Sequence, residues 1–138
     1  MTGVQTCALP ISSEIDDDLP ETLLGDAARL QQILVNLVTN AVKFTDQGEV
    51  RVNLRRSADA RWGIEVEDTG HGIPERELPF IFDTFRQVEG ATTRVHGGFG
   101  LGLSIVKQLV NLMSGEVKVA SQVNSGTKFT ITLPLVIP

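Results

Sequence analysis

The chain has 138 residues, of which 41% are hydrophobic, and it carries 17 acidic against 12 basic side chains for a formal net charge of −5. This length suits one domain with a hydrophobic core, and the negative charge argues against a partner such as nucleic acid, whose phosphates must be neutralised. The one cysteine, Cys7, excludes an internal disulfide framework, and no apolar run approaches the roughly 20 residues of a membrane span, so we expect a cytoplasmic chain without membrane contact.

The first twelve residues, MTGVQTCALPIS, differ from the rest of the chain. They carry no charge and show neither helical nor strand periodicity. We interpret residues 1–12 as a leader that is disordered or foreign to the fold, and residues 13–138 as the domain.

A helix and two strands are predicted next. Asp26 suits a helix N-cap, and apolar residues follow it at helical spacing: Leu30, Ile33, Leu34, Leu37, Val38, Ala41 and Val42. Residues 49–54 (EVRVNL) and 62–67 (WGIEVE) alternate apolar and polar side chains, which predicts two half-buried strands.

The second half of the chain begins with a turn, DTGHGIP, at residues 68–74. A short helical anchor is predicted within residues 75–85 from four apolar side chains: Phe80, Ile81, Phe82 and Phe85. Residues 90–100 predict a loop, residues 103–113 a helix ending at Ser114 and Gly115, and residues 116–121 with 126–135 a hairpin. Interleaved helices and strands predict a two-layer α/β sandwich with a mixed sheet.

Four of the ten residues in the segment HGGFGLGLSI, residues 96–105, are glycine, and this segment leads into the last predicted helix. Glycine costs conformational entropy but lets the main chain approach a ligand closely. A phosphate loop at a helix N-terminus would explain the cost, since free N–H groups and the helix dipole favour anions there. The segment fits neither a Walker loop nor the G-x-G-x-x-G dinucleotide fingerprint, so it would belong to another class of nucleotide site.

One polar face is predicted along the first helix. Five side chains fall within roughly 80° of one another at about 100° per residue: Arg29, Gln32, Asn36, Asn40 and Lys43. A solvated face is the alternative, but asparagine forms helices poorly, and two asparagines in mid-helix favour a use for their amides. An amide oxygen is a competent Mg²⁺ ligand, and Lys43, one turn beyond Asn40, would then meet a phosphate.

Asp68 ends a predicted strand and precedes Gly70 and Gly72. An aspartate that only stabilises its own turn is the alternative interpretation. As a functional group, the ionised carboxylate would accept a hydrogen bond from the exocyclic amine of a base while the glycines let the ring lie against backbone, which would select adenine over guanine.

Four segments in this order resemble the characteristic boxes of sensor histidine kinases. DAARLQQILVNLVTNAVKFT is similar to the N box, EDTGHGIP to the G1 box, IFDTFRQVEG to the F box and GGFGLGLSIVKQLV to the G2 box. Residues 15–135 thus resemble the catalytic and ATP-binding domain of the GHKL superfamily, in its hybrid, multidomain type. The resemblance implies a Bergerat-type fold, a mainly antiparallel sheet covered on one face by helices.

The resemblance also implies an activity and partners. ATP and Mg²⁺ would bind, and the γ-phosphoryl group would pass to a histidine on the dimerisation hairpin of the parent kinase, outside this chain. A response regulator receiver domain would be an indirect partner, and upstream regions could anchor the parent kinase in a membrane.

Site residues follow from the matching positions. Asn40 would bind Mg²⁺, with Asn36 in the same polar cluster, Lys43 near the phosphates, Phe44 against the adenine and Asp68 on its amine. The remaining residues form the base pocket, the lid anchors and the triphosphate loop. They are Gly70, Gly72, Ile73 and Thr127 for the pocket, Phe82 and Phe85 for the lid, and Gly98, Gly100, Leu101, Gly102 and Leu103 for the triphosphate. Arg94, with Arg86 as the alternative, would reach the γ-phosphate when the lid closes.

Position 36 discriminates among related activities. Gyrase, mismatch-repair and chaperone ATPases carry a glutamate here that activates water, and an asparagine cannot act as a general base. Asn36 therefore favours transfer to a neutral imidazole over hydrolysis. A nucleotide-sensing module without catalytic output and an ATP-hydrolysing clamp remain the alternatives.

Other positions carry weaker expectations. His71 and His96 are expected to be exposed spectators. Phe99 replaces a threonine common between the G2 glycines, and Asn124 replaces a turn glycine, which asparagine tolerates because it enters the left-handed region readily. No family-like segment precedes Ser13, where such domains normally have an edge strand, which bears on the stability of the fragment.

Overall fold

A computed structural model describes residues 9–83 and 100–138 of the chain. The strands are β1 (Ile11–Ile15), β2 (Val50–Ser57), β3 (Arg61–Asp68), β4 (Glu116–Gln122) and β5 (Gly126–Pro134). The helices are α1 (Ala27–Lys43) and α2 (Gly100–Leu112), with a 3-10 helix at Glu75–Phe80. The five strands form one sheet in the order β1-β2-β3-β5-β4, in which only the β1-β2 pair is parallel. The predicted two-layer α/β sandwich with a mainly antiparallel sheet under helices is confirmed.

Helix α1 forms as its sequence predicts. The Asp26 carboxylate accepts a hydrogen bond from the Arg29 N–H at 3.2 Å and so caps the first turn. Ile33 and Leu37 are fully buried and Ala41 nearly so, which places one stripe of the helix against the sheet. The helix ends at Lys43, and the N–H of the next residue, Phe44, donates to the Asn40 carbonyl oxygen.

Strand β5 places its alternate side chains in the core. Thr127, Phe129, Ile131 and Leu133 are buried, whereas the residues between them are half-buried. Strand β3 pairs with β5 from Arg61 opposite Pro134 to Asp68 opposite Thr127. The last residue of β3, Asp68, therefore lies at the same end of the sheet as the first turn of β5.

Strand β1 corrects the interpretation of the N-terminal segment. Ile11 and Ser12, assigned to the leader, lie in a strand that pairs in parallel with β2, with Ile11 opposite Val50. An edge strand therefore lies next to β2, although no family-like segment precedes Ser13. All five of its side chains are exposed, so main-chain hydrogen bonding alone holds it, and its side chains show no apolar alternation that a sequence pattern could reveal.

Helix α2 begins three residues earlier than predicted, at Gly100 rather than Leu103. Its predicted end is confirmed: Ser114 adopts a left-handed φ of 61°, and the Gly115 N–H returns to the Val110 carbonyl oxygen at 2.9 Å. The predicted anchor in residues 75–85 is a 3-10 helix as far as Phe80, and Phe85 lies outside the described residues. Most of the predicted loop at residues 90–100 also lies outside them.

In the described ranges, 9–83 and 100–138, no helix is both long and apolar enough to cross a bilayer.

Candidate nucleotide-binding site

Three polar side chains form a row across the end of the sheet. Asp68 on β3 lies opposite Thr127 on β5, and Thr127 lies opposite Ser121 on β4. Direct cross-strand partners point to the same face of a sheet, so the three side chains are neighbours. Asp68 and Thr127 are each only 6% exposed. A buried carboxylate at a strand end is thus part of a continuous polar row.

The Asp68 carboxylate combines burial with local hydrogen bonding. Its Oδ1 accepts from the Gly70 N–H at 2.9 Å. Burial raises the pKa of Asp68, and the N–H groups of Gly70 and Thr127, the Thr45 hydroxyl and His71 oppose that rise. The alternative interpretation, an aspartate that stabilises its own turn, therefore describes part of its contacts. Burial of a carboxylate costs free energy, and the local hydrogen bonds offset part of that cost.

The glycines of the turn have a packing role of their own. A Cβ on Gly70 would overlap the Phe44 carbonyl oxygen, and one on Gly72, whose φ is +77°, would overlap the Gln122 carbonyl oxygen. The bare backbone of Gly70 and Gly72 thus lets the turn lie against the end of α1 on one side and the β4-β5 hairpin on the other.

Ser121 was missed by the sequence analysis. Its Oγ accepts from the Ile73 N–H at 2.7 Å, donates to the Gly126 carbonyl oxygen at 3.0 Å and lies 2.8 Å from the Thr127 Oγ1. Ser121 therefore connects the turn after Asp68 to the β4-β5 hairpin, which carries Thr127, through hydrogen bonds. The register of a hairpin with residues 123–125 between its strands, which places Ser121 opposite Thr127, is the sequence signal that could have found it.

Thr45 is a second residue that sequence reasoning missed. Its hydroxyl is buried next to Gly70 and Asp68, and no described residue gives its oxygen a hydrogen-bond partner of acceptable geometry. Although the hydroxyl lies near enough to the carboxylate to favour the ionised form, it does not reach hydrogen-bonding geometry with it. A buried polar atom of this kind is rare in folded proteins and points to a functional region.

The end of α1 is tied directly to the turn after Asp68. The His71 N–H donates to the Phe44 carbonyl oxygen at 3.0 Å, and the His71 Nε2 lies 3.0 Å from the Asp46 carboxylate. His71, expected to be a spectator, therefore connects two parts of the site through its backbone and its ring. Because Phe44 lies one turn after Asn40, the polar face of α1 and Asp68 lie at the same end of the sheet.

The polar face of α1 meets the first turn of α2. Asn36 and Asn40 are half-buried, whereas Lys43 is exposed. The Asn36 Nδ2 donates a long hydrogen bond, 3.4 Å, to the Gly102 carbonyl oxygen. A Cβ on Gly102 would meet none of the described residues within 4 Å beside this polar face.

Some of the other predicted site residues lie within the described part of the chain, and the rest lie outside it. Ile73 is buried, Phe82 packs edge-on against Phe129 with ring centroids 6.2 Å apart, and Leu103 is fully buried, so the Leu103 side chain belongs to the core. Gly100 and Leu101 lie in the first turn of α2. Phe85, Arg86, Arg94, His96, Gly98 and Phe99 lie outside the described residues.

A groove of about 930 Å³ lies at the opposite end of the sheet, where Trp62 and Leu133 contribute to its wall. Its lining is mostly apolar, with Asp17 and Glu21 among its acidic side chains. It contains none of the predicted nucleotide-binding residues. The groove and the predicted nucleotide-binding residues therefore lie at different ends of the sheet.

Comparison with known proteins defines the class first. Residues 25–137 match the model of the family described as histidine kinase-, DNA gyrase B-, and HSP90-like ATPases. The chain belongs to this family. Within the family it is a catalytic domain of the sensor histidine kinase type, as the following relatives and structures indicate.

Two curated relatives are hybrid or signal-transduction kinases. Hybrid signal transduction histidine kinase L of Dictyostelium discoideum is 44% identical over 135 residues, which cover 94% of this chain. Signal transduction histidine-protein kinase BarA of Escherichia coli (strain K12) is 42% identical over 125 residues, which cover 88% of this chain. The chain spans only 8% and 14% of the length of these two relatives, respectively.

Solved structures agree with this assignment. Full-length ShkA in complex with AMPPNP matches with a TM-score of 0.83 and 35% identity, over 94% of this chain and 26% of that one. The nucleotide-free catalytic domain of histidine kinase ThkA matches with a TM-score of 0.75 and 26% identity, over 93% of this chain and 79% of that one. The resemblance to sensor histidine kinases drawn from the four boxes is therefore confirmed.

Proposed function

We propose that the chain binds ATP and Mg²⁺ and transfers the γ-phosphoryl group to a histidine on the dimerisation hairpin of a two-component sensor kinase. The observation that carries this proposal is the junction of three elements at one end of the sheet. Asp68 and Thr127 supply buried polar groups, the Phe44-to-His71 hydrogen bond ties them to α1, and Asn36 ties α1 to the first turn of α2.

The base would bind at the polar row. Asp68, when ionised, can only accept hydrogen bonds, which suits the exocyclic amine of adenine. Phe44 is half-buried next to the turn and would pack against the ring. Ile73 and Thr127 would close the pocket from the turn and the hairpin.

The triphosphate would lie between the polar face of α1 and the start of α2. Gly102 lies beside Asn36, none of the described residues would meet a Cβ on it, and N–H groups at a helix N-terminus favour anions. Lys43 is exposed one turn after Asn40 and would meet the phosphates. The proposed phosphate site would be completed by Gly98, Gly100, Leu101 and Arg94, together with the main chain of Leu103.

The residues present suit Mg²⁺. Within residues 9–83 and 100–138, no three His, Cys, Asp or Glu side chains are grouped to hold a metal. Mg²⁺ does not need such a group, because one or two protein oxygens suffice when water and phosphates fill the remaining positions. The half-buried Asn40 amide would supply that oxygen. The bound ion would neutralise phosphate charge during transfer.

Asn36 argues for transfer rather than hydrolysis. Its amide nitrogen already donates to the Gly102 carbonyl oxygen, so the side chain acts as a link between α1 and α2. An amide cannot remove a proton from water near neutral pH, whereas a neutral imidazole needs no such help to attack phosphorus. In the transfer, the imidazole nitrogen forms the bond to phosphorus, the bond to the bridging oxygen of ADP breaks, and ADP leaves.

The parent kinase would place this domain in the cytoplasm, next to its own hairpin, and the phosphoryl group would pass onward to a response regulator receiver domain. Mixing the chain with a cognate hairpin, Mg²⁺ and γ-labelled ATP tests the proposal. We expect label on the hairpin that is stable to alkali and lost in acid, as phosphohistidine is. Free phosphate alone would instead support an ATP-hydrolysing clamp, and nucleotide binding with neither product would support a sensing module.

A further inference from the structure

We propose that Ser121 sets the base specificity of the nucleotide pocket by taking the only proton of the Thr127 hydroxyl, so that Thr127 faces the base as an acceptor beside Asp68. This inference rests on the proposed function, because it assumes that a purine base occupies the polar row. Ser121 acts through Thr127 and is therefore a positioning residue.

The proton count of the Ser121 hydroxyl supports this assignment. The Gly126 carbonyl oxygen can only accept, so the single Ser121 proton goes to it at 3.0 Å. The Ile73 N–H can only donate, so it uses one lone pair of the Ser121 Oγ at 2.7 Å. The remaining contact, 2.8 Å to the Thr127 Oγ1, then has one arrangement that leaves no partner unmatched: Thr127 donates to Ser121.

Thr127 is left with lone pairs and no proton for any further partner. Asp68 lies directly opposite on β3 and is also an acceptor when ionised. Both groups are buried, so an unmatched contact with a ligand would be costly. Two adjacent acceptors suit a 6-amino purine, whose amine has two N–H bonds, and oppose a 6-oxo purine, whose oxygen also presents lone pairs.

Binding of ATP and ITP to the chain with Mg²⁺ tests the proposal, because ITP replaces the amine by an oxo group and protonates N1. In Ser121→Ala the Thr127 proton becomes free to donate to the oxo group. We expect the ratio of the ITP to the ATP dissociation constant to fall by about fivefold, which corresponds to one net hydrogen bond of about 1 kcal/mol.

The ratio of the ITP to the ATP dissociation constant distinguishes a role of Ser121 in base specificity from a merely structural role. Loss of the Ile73 contact in Ser121→Ala would weaken both nucleotides together and leave the ratio unchanged. Ser121→Thr keeps the hydroxyl on a strand that favours β-branched residues, so it should retain the wild-type ratio. In a Thr127→Val background, Ser121→Ala should no longer change the ratio.

An unchanged ratio in Ser121→Ala, or a further fall when Ser121→Ala is added to Thr127→Val, would overturn the proposal. If Ser121→Ala does not fold, Thr127→Val alone decides, since it removes the acceptor and should lower the ratio; no change would again overturn it. Failure of the wild-type chain to bind either nucleotide would instead refute the proposed function.

Discussion

At the scale of single residues, Asp68 is expected to affect both the stability of the fold and the proposed binding of ATP. The carboxylate is buried, and burial raises its pKa because the charged form loses its hydration. The folded state therefore holds a proton on this group at pH values where the unfolded chain has released it. Below the unfolded pKa the group contributes fully to stability, and this contribution is lost as pH rises through the folded pKa.

Asp68→Asn should therefore change the stability of the fold and the affinity for ATP in opposite directions. The amide keeps the shape and an oxygen for the Gly70 N–H but carries no charge, so we expect the variant to unfold at higher denaturant concentration than the wild type at neutral pH. The difference should shrink toward about pH 4, near the ordinary pKa of an aspartate. Affinity for ATP should fall about 10- to 100-fold, since a charged acceptor is lost.

Urea unfolding at several pH values and calorimetry with ATP measure these effects. Asp59→Asn, at an exposed turn position, is the matched control and should change neither quantity. If Asp68→Asn binds ATP as tightly as the wild type, Asp68 does not contact the base.

Thr45 gives a second prediction at this scale. Its buried hydroxyl oxygen has no partner of acceptable geometry among the residues described, and such a group costs about 1–3 kcal/mol. Thr45→Val, which replaces the hydroxyl by a methyl group of similar volume, should raise the free energy of unfolding without ligand by up to about 1 kcal/mol, whereas Thr45→Ser should not. A loss of stability in Thr45→Val would mean that a water or another group satisfies the hydroxyl.

At the scale of secondary-structure elements, the edge of the sheet depends on β1. This strand is held by its parallel pairing with β2, reinforced by the Asp16 N–H donating to the Leu54 carbonyl oxygen at 2.8 Å. Its exposed side chains contribute little burial, yet it covers the β2 edge, which would otherwise present unpaired main-chain groups.

Removal of residues 1–15 should therefore destabilise the chain and promote association through the bare β2 edge. Removal of residues 1–8 alone retains all of β1 and serves as the matched control. Thermal unfolding and light scattering compare the two shortened chains. Equal stability of both, without association, would show that β1 contributes nothing to the fold in solution.

At the scale of the whole molecule, the site is assembled from elements distant in sequence. The Asn36 contact to Gly102 joins residues 66 positions apart, and the Ile73 contact to Ser121 joins residues 48 positions apart. A nucleotide that bridges these elements would bind only the folded chain, and a ligand that binds only the folded state stabilises it by mass action.

ATP with Mg²⁺ at about 100 times its dissociation constant should thus stabilise the chain by about 2.7 kcal/mol. For a domain of this size, that energy raises the melting temperature by roughly 10 °C. Removal of the metal with EDTA should abolish most of this rise in melting temperature. Asn40→Ala should lower the rise even with Mg²⁺ present, because Mg²⁺ would lose its protein oxygen. An equal shift with and without metal would contradict a magnesium site at Asn40.

Much of the fold was predictable because its signals are local. Helix α1 follows from its N-cap and apolar spacing, strands β2 and β3 from alternation, and the end of α2 from Ser114 and Gly115. Strand β1 was not predictable, since its pairing is through the main chain and leaves no pattern in its side chains. The start of α2 was placed too late because glycines, poor helix formers, occupy its first turn.

By itself, the sequence determined the class of fold, the order of the four boxes and the residue types that suit an adenine nucleotide. Only the tertiary structure decided which groups are neighbours: strand register places Ser121 in the polar row, and burial places the Thr45 hydroxyl next to Gly70 and Asp68. The physical reason is that hydrogen-bond direction and desolvation depend on neighbours in space. The proton count at Ser121 has meaning only once Ile73, Gly126 and Thr127 surround it.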